Sequence, residues 1–330
     1  MKSKIIKIII LLFLMFATAY LVMNNQSGSI KKELRDFAIE DTASVDKIFL
    51  VDKQNNTILL ERKQSYWIVN EKYEARKDLV DLVLKTLYRI KVKEPVAKSA
   101  HENIVKNLAV KSTKVEIYQK GKLSKTIYVG GPTMDSYGTY MILENSSRPF
   151  IMEIPGFRGY LSTRFSTMEI EWRAQTIFRI PLSEIKQVTF ENYINKTESF
   201  SVINSNNNYQ LLDNHKNAIN NFDTIEVKKF LMEFRQKNFS KFIEDVPLKW
   251  QDSILQSNPM YVITVEKANG EKQWVKAFNK PGWGKLDFFG DELASDPDNF
   301  FMLTDNNDFV YAQYFSFNPL LKNISDFKKN

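Results

Sequence analysis

The sequence predicts an α+β protein: an N-terminal apolar helix followed by two related strand-rich modules, each an antiparallel sheet with one main amphipathic helix. Three observations predict it. Ile5 to Met23 is apolar except at Lys7 and Thr18. Beyond it, short runs of alternating apolar and polar residues are divided by Asn and Gly turns, and each half of the chain holds one stripe of the i, i+3, i+4, i+7 kind. The order of these patterns in residues 45–176 recurs in residues 177–330, as an internal duplication would make it.

The N-terminal segment follows Met1-Lys2-Ser3-Lys4. A bilayer core takes about 20 apolar residues, whereas a cleavable signal has an apolar region of about 7 to 15. Two readings stay open. The length favours a retained signal anchor over residues 1–25, while Ala17-Thr18-Ala19 has the small-x-small form of a cleavage site. No Cys follows to accept lipid. Basic residues before the segment orient the N-terminus to the cytoplasm. The expected location is therefore the inner (cytoplasmic) membrane, single-pass, with the bulk of the chain on the extracytoplasmic side. Residues 26–44 read as a spacer.

In the first module, Val45 to Val51, Ile58 to Leu60 and Tyr66 to Val69 read as strands, with Asn55-Asn56 as a turn. Leu79, Val80, Val83, Leu84, Leu87 and Ile90 then share one helical face. Strands follow at Lys114 to Tyr118 and Ser124 to Val129, and a hairpin at Tyr137 to Leu143 with Pro149 to Ile154. Short segments in Gly156 to Trp172 lead to a boundary near Arg173 to Pro181.

The second module repeats the order with Ile185 to Phe190, Ser199 to Ile203 and Tyr209 to Leu212. Its helix begins at Asp223, with Glu226 at capping-box spacing, and carries Val227, Phe230, Leu231 and Phe234. Ile48 matches Val188, Trp67 matches Tyr209 and Val83 matches Phe230. Strands follow at Tyr261 to Val265 and Lys272 to Phe278 around Asn269-Gly270, and a last hairpin is expected from Gly284 to Phe289 with Phe309 to Tyr314.

Composition limits the function. The chain has 330 residues, 43% hydrophobic and 26% charged, as in folded soluble domains rather than disordered or polytopic chains. The net charge of +7 falls to +4 once Lys2, Lys4 and Lys7 are set aside. There is no run of five like charges, so nucleic acid is not an expected partner. The absence of Cys removes disulfides, thiolate metal sites and Cys nucleophiles.

No pattern supplies catalysis, a cofactor or a metal. His101 beside Glu102 reads as part of a polar segment after the helix, and His215 as a loop residue; neither sits in a metal-binding spacing. Gly130-Gly131-Pro132-Thr133 follows a strand but lacks the Lys of a phosphate loop, and Pro132 removes an amide donor, so a turn is expected. Asp296-Pro297-Asp298 and Asp305 to Asp308 are oxygen-rich but lack the Gly and distal Glu of a calcium loop, and read as turns flanking Phe300 to Leu303. Trp274, Phe288 and Phe289 are expected in the core. Trp283, between Gly282 and Gly284, is the candidate exposed binding contact.

The runs Ile48-Phe49-Leu50, Tyr66-Trp67-Ile68-Val69, Ile127-Tyr128-Val129-Gly130, Tyr140-Met141 and Phe150-Ile151-Met152, together with the N-terminal segment, resemble a family of bacterial envelope proteins, common in Bacteroidota, known as domain of unknown function 4340. The resemblance spans nearly the whole chain. It implies a non-enzymatic accessory role, since some relatives are associated with membrane transport systems of the ATP-binding-cassette type, and it brings no catalytic residues. The expected function is a membrane-anchored, non-catalytic envelope protein, an accessory or scaffold component of an envelope or transport complex. The expected partners are the membrane and such a complex. A binding module for cell-wall glycan or another envelope polymer, and an enzyme of unrecognised type, stand as alternatives.

Overall fold

The computed structural model describes residues 36–329 together with Phe13, Met15, Phe16 and Thr18. The segment expected to span the membrane lies outside the described residues apart from those four, which are helical, with Phe13, Met15 and Phe16 exposed. Among the described residues no helix is long and apolar enough to cross a membrane. The chain divides into two units, Met1–Ala174 and Gln175–Asn330.

The first unit runs β1 (Val45–Val51), β2 (Thr57–Arg62), β3 (Trp67–Val69), β4 (Tyr73–Glu74), α1 (Lys77–Arg89), β5 (Lys91–Pro95), α2 (Lys98–Lys111), β6 (Thr113–Gln119), β7 (Lys122–Pro132), β8 (Thr139–Leu143), β9 (Phe150–Glu153) and α3 (Glu169–Trp172). Its nine strands form one sheet in the order β4-β3-β2-β1-β6-β7-β8-β9-β5, every pair antiparallel. Alternation turns Ile48, Leu50, Ile58, Leu60, Val115 and Ile117 to one face, and α1 covers them with Val80, Val83, Leu84 and Leu87. The described part of the stretch expected as a spacer, residues 36–44, joins this core: Phe37 and Ile39 are buried, and Phe37 packs edge-on against Phe150.

The second unit runs β10 (Thr176–Phe178), β11 (Ile185–Asn192), β12 (Phe200–Ser205), β13 (Asn208–Leu212), β14 (Ala218–Ile219), α4 (Thr224–Met232), β15 (Lys237–Asn238), β16 (Lys241–Phe242), α5 (Leu248–Gln256), β17 (Tyr261–Lys267), β18 (Lys272–Phe278), β19 (Asn299–Thr304), β20 (Phe309–Gln313) and α6 (Tyr314–Phe317). The pair β10-β15 stands apart, and the other nine strands take the order β14-β13-β12-β11-β17-β18-β19-β20-β16. This is the order of the first sheet, strand for strand.

Register makes the correspondence specific. Ile48 faces Leu60 and Ile117, and Val188 faces Val202 and Val265 in the same way. Following the ladders outward places Tyr209 where Trp67 stands. The stripe Val80, Val83, Leu84, Leu87 on α1 becomes Val227, Phe230, Leu231, Phe234 on and just after α4. A register shift interrupts β1 between Val45 and Lys47, and another interrupts β11 between Ile185 and Gln187.

Both units are closed by a returning aromatic. The amide of Arg76, just before α1, donates to the carbonyl of buried Trp172 at 2.7 Å, and that of Asp223, just before α4, donates to the carbonyl of buried Phe327 at 2.8 Å. Asp223 also caps α4 by accepting from the amides of Ile225 and Glu226.

Three expectations change. Each unit has a second helix, α2 or α5, where one main helix was expected, so His101 lies on a helix rather than in a loop. Helix α2 turns only Ile104 and Leu108 inward, against Tyr140, Ile142 and Ile151, and α5 offers partly buried Ile254 and Leu255, too little apolar surface for a legible stripe. Gly130 and Gly131 end strand β7 instead of forming a turn, and a Cβ on Gly130 would fall 2.5 Å from Leu108 of α2. Finally, the partner of β20 is β19, not Gly284 to Phe289. Phe300, Phe301 and Met302 are buried in succession because both sheet faces are covered there, which hides the period-two signal.

Phe230 touches Phe200, Phe234 and Phe327 edge-on at 5.4 to 5.5 Å. Phe230→Ala is expected to destabilise the second unit by about 3–5 kcal/mol, read as a lowered denaturant midpoint of its transition with the slope unchanged.

Candidate binding site in the second unit

The units differ most between the strands that follow their central hairpins. Residues 133–138 join β7 to β8 in the first unit, whereas residues 279–298 join β18 to β19 in the second. The longer connection is an ordered finger. The Asp296 amide donates to the Lys280 carbonyl at 2.7 Å, the Leu293 amide to the Lys285 carbonyl at 2.8 Å, and Leu286 bridges to Glu292.

A buried carboxylate holds the base of this finger. The Asp296 side chain is 1% exposed and accepts from Lys280 Nζ at 2.6 Å and Lys285 Nζ at 2.9 Å. It also accepts from the amides of Asp298 and Asn299 at 2.9 and 3.0 Å. Burial pushes its pKa upward, but these bonds from two ammonium groups and two amides outweigh burial and hold the carboxyl well below the usual carboxylate range. The oxygen-rich loop singled out in the sequence is thus satisfied by lysines. Lys285 reaches on to Asp298 at 2.9 Å, and its pKa is raised by the bonds to Asp298 and Asp296.

Trp283 sits on the finger's near side. Gly282 precedes it because a Cβ there would fall 2.1 Å from the Leu293 carbonyl oxygen. Trp283 itself has φ 45°, a left-handed conformation uncommon for a bulky residue. Its indole lies 5.8 Å from the ring of Phe301, and the Lys280 ammonium is 5.0 Å from its centroid. The residue is 48% exposed, where the sequence reading expected an exposed contact.

The exposed part of Trp283 opens on a cavity of about 360 Å³ lined by Ser240, Lys241, Asp245, Lys280, Asn299 and Tyr311. Strand β20 supplies Tyr311, β16 supplies Lys241 paired directly opposite it, and the start of β19 supplies Asn299. The Tyr311 hydroxyl donates to Asp245 Oδ1 at 2.9 Å, and Lys241 Nζ donates to Asp245 Oδ2 at 3.2 Å. Burial, then the hydrogen bond to Asp245 and the charge of that carboxylate, push the Tyr311 phenol far up, so it stays a protonated donor. Burial pushes Asp245 up as well, but the bonds from Tyr311 and Lys241 bring it below the usual range.

A second cavity, of about 400 Å³, lies along β11 and β12. Two of its polar side chains are taken up by turns: Asn192 Oδ1 accepts from the amides of Ile194 and Asn195, and Asp213 Oδ1 accepts from those of His215 and Asn217. His215 is an exposed residue of that turn.

The finger's tip corrects another expectation. Phe288 and Phe289 are 96% and 85% exposed, not in the core, and they meet edge-on at 5.5 Å beside exposed Leu286. The tip is set by Asp287, whose Oδ1 accepts from the amides of Phe289 and Asp291. Trp274 is half-buried, with the Lys276 ammonium 5.2 Å from its ring centroid. Trp283 is singled out in the sequence by its flanking glycines, whereas Lys241, Asp245 and Tyr311, which line the same cavity, carry no local pattern.

The family described as Domain of unknown function (DUF4340) matches residues 67–259. No curated protein and no solved structure matches the chain. The family match includes Ser240, Lys241 and Asp245 but ends before the finger.

Removing Asp296 leaves Lys280, only 12% exposed, without its carboxylate. Asp296→Ala is expected to cost about 3–5 kcal/mol, measured by denaturant unfolding. The acid dependence has a definite sign. A carboxyl depressed on folding stabilises above its unfolded pKa, about 3.9, and loses that contribution as pH falls toward the lower folded value. The stability gap between the wild-type chain and Asp296→Asn should therefore narrow below about pH 4 in thermal melts across the acid range.

Proposed function

The chain belongs to the family Domain of unknown function (DUF4340), and from that premise we propose that it is a membrane-anchored, non-catalytic accessory component of an envelope complex. Residues 1–25 hold it at the membrane, and its two units, related by duplication, face the extracytoplasmic side. The observation that carries the accessory reading is the finger of the second unit. Its base is fixed by a buried, fully bonded carboxylate, while its tip holds Leu286, Phe288 and Phe289 in water. Adjacent exposed aromatics on a rigid support bind a partner at small entropic cost, because little remains to be ordered on association. Apolar surface of this kind is costly to leave uncovered.

The polar groups near Trp283 support a binding role over catalysis. Asp245 is engaged by both Tyr311 and Lys241, and Tyr311 is held protonated, so neither is poised as a free base. The exposed helical positions Phe13, Met15 and Phe16 suit a lipid-facing helix.

The test is affinity capture of the full chain from gently solubilised native membranes, beside a Phe288→Ser/Phe289→Ser double variant and a chain lacking residues 1–25. An integral-membrane complex is expected with the wild-type chain and should be lost with both alterations. Retention of the same complex by the double variant, or capture of no membrane protein by the wild type, would refute the reading.

A further inference from the structure

The fold does not require the polar set around Trp283. In the first unit Glu94 pairs with Ile151 at the positions where Lys241 pairs with Tyr311, and Tyr140 stands where Phe301 does. The first unit builds the same sheet without a phenol at that point of β9 and without the long connection. The second unit thus sets an indole, a phenol, an amide, a hydroxyl, a carboxylate and two ammonium groups around a cavity of about 360 Å³, within the size range of small-ligand sites.

Charge selects the ligand class. Each cation facing the cavity already has a carboxylate: Lys241 lies 3.2 Å from Asp245, and Lys280 lies 2.6 Å from Asp296. An entering phosphate or carboxylate would have to compete with these partners and would face the Asp245 charge. A wholly apolar ligand would strip water from Asp245, Lys241 and Asn299 and return no hydrogen bonds. A ligand with one C–H face and a rim of hydroxyls meets both demands. We propose that this cavity binds one ring of a neutral carbohydrate, its C–H face on the exposed indole of Trp283 and its hydroxyls bonded to Asp245, Lys241 and Asn299.

The indole is set in advance for that contact. Gly282 lets the chain pass under Leu293, the backbone of Trp283 holds φ 45°, and Lys280 and Phe301 brace the ring from within. Asp245 offers two acceptor oxygens and Lys241 has protons beyond the one given to Asp245, so neighbouring hydroxyls find an acceptor and a donor side by side. This inference goes beyond the accessory reading and does not rest on it, because sugar binding by the purified chain and capture of a membrane complex are separate measurements.

The experiment uses the full chain in a detergent without a sugar headgroup, since a maltoside would compete. Glucose, galactose, N-acetylglucosamine, cellotetraose and chitotetraose are titrated by calorimetry and tryptophan fluorescence, with inorganic phosphate as the anionic comparison and sedimentation with insoluble peptidoglycan as the polymer arm. At least one neutral sugar should saturate at micromolar to millimolar concentration. Trp283→Ala should weaken it by about tenfold or more, and Asp245→Asn should weaken it too, while Trp283→Phe retains most of the affinity. Equal affinity for a monosaccharide and its tetramer would identify a free sugar as the ligand; tighter tetramer binding or co-sedimentation would identify a polymer, and both support the site. The absence of saturation with every sugar, tighter binding of phosphate than of any sugar, or sugar binding untouched in both Trp283→Ala and Asp245→Asn would overturn it. Thermal melts of each variant show whether it is folded when assayed.

Discussion

A nine-stranded antiparallel sheet exposes a broad apolar face, and in each unit that face is covered by four side chains in one helical stripe, the last of which in the second unit lies just past the end of its helix. Val80, Val83, Leu84 and Leu87 do this in the first unit, and Val227, Phe230, Leu231 and Phe234 in the second. The i, i+3, i+4, i+7 spacing lets a straight helix contact the sheet along its length. Much else follows. The sheet register must present its inward residues beneath the helix, since a slip of one residue would turn the whole inward set to water. The chain must also return to the start of the helix, where Trp172 and Phe327 close the open edge of the core.

On this shared frame the two units differ in what they place on the other sheet face. In the first unit α2 lies close over β7 and β8, close enough that Gly130 has no room for a Cβ. In the second unit Phe278, Phe301 and Tyr311 fill out that layer, and α5 adds Ile254 and Leu255 at its margin. The connection 279–298 folds at the rim of this layer as the finger bearing Trp283, whose ring lies against Phe301. The ion pairs around Asp296 tie the finger to the sheet. Burying a carboxylate is costly unless its lone pairs are filled, and here two ammonium groups and two amides fill them. Such a cluster fixes one conformation of the connection, and both the cavity and the exposed tip depend on that conformation.

The functional reading follows from this division. The first unit shows what the frame needs, and the second shows what has been added to it. The additions have two chemistries at opposite ends of one finger: a cavity of paired charges and one indole at its base, and bare phenylalanine rings at its tip. Charges neutralised within the protein favour a neutral polar ligand, whereas apolar rings in water favour a partner that covers them.

Local periodicity determined a great deal in this protein. The strands around Ile48 and Val188, the helices α1 and α4, the Asp223 cap and the correspondence of Trp67 with Tyr209 are properties of residues near one another in the chain, where side-chain direction follows from backbone period alone. The flanking glycines likewise marked Trp283 as a residue of an exposed turn. Tertiary structure alone decided the rest. Helix α2 buries too few residues to show a stripe, and strand β19 is covered on both faces and so loses its alternation. Phe288 and Phe289 have the composition of core residues, yet whether they are buried depends on what packs over them, and nothing does so in their unit. Lys241 with Asp245, Lys280, Asn299 and Tyr311 come from separate stretches of the chain, and the pairing of β16 with β20 and β19 with β20 brings Lys241, Asn299 and Tyr311 to one cavity, because contacts across a sheet are set by register rather than by neighbourhood in sequence.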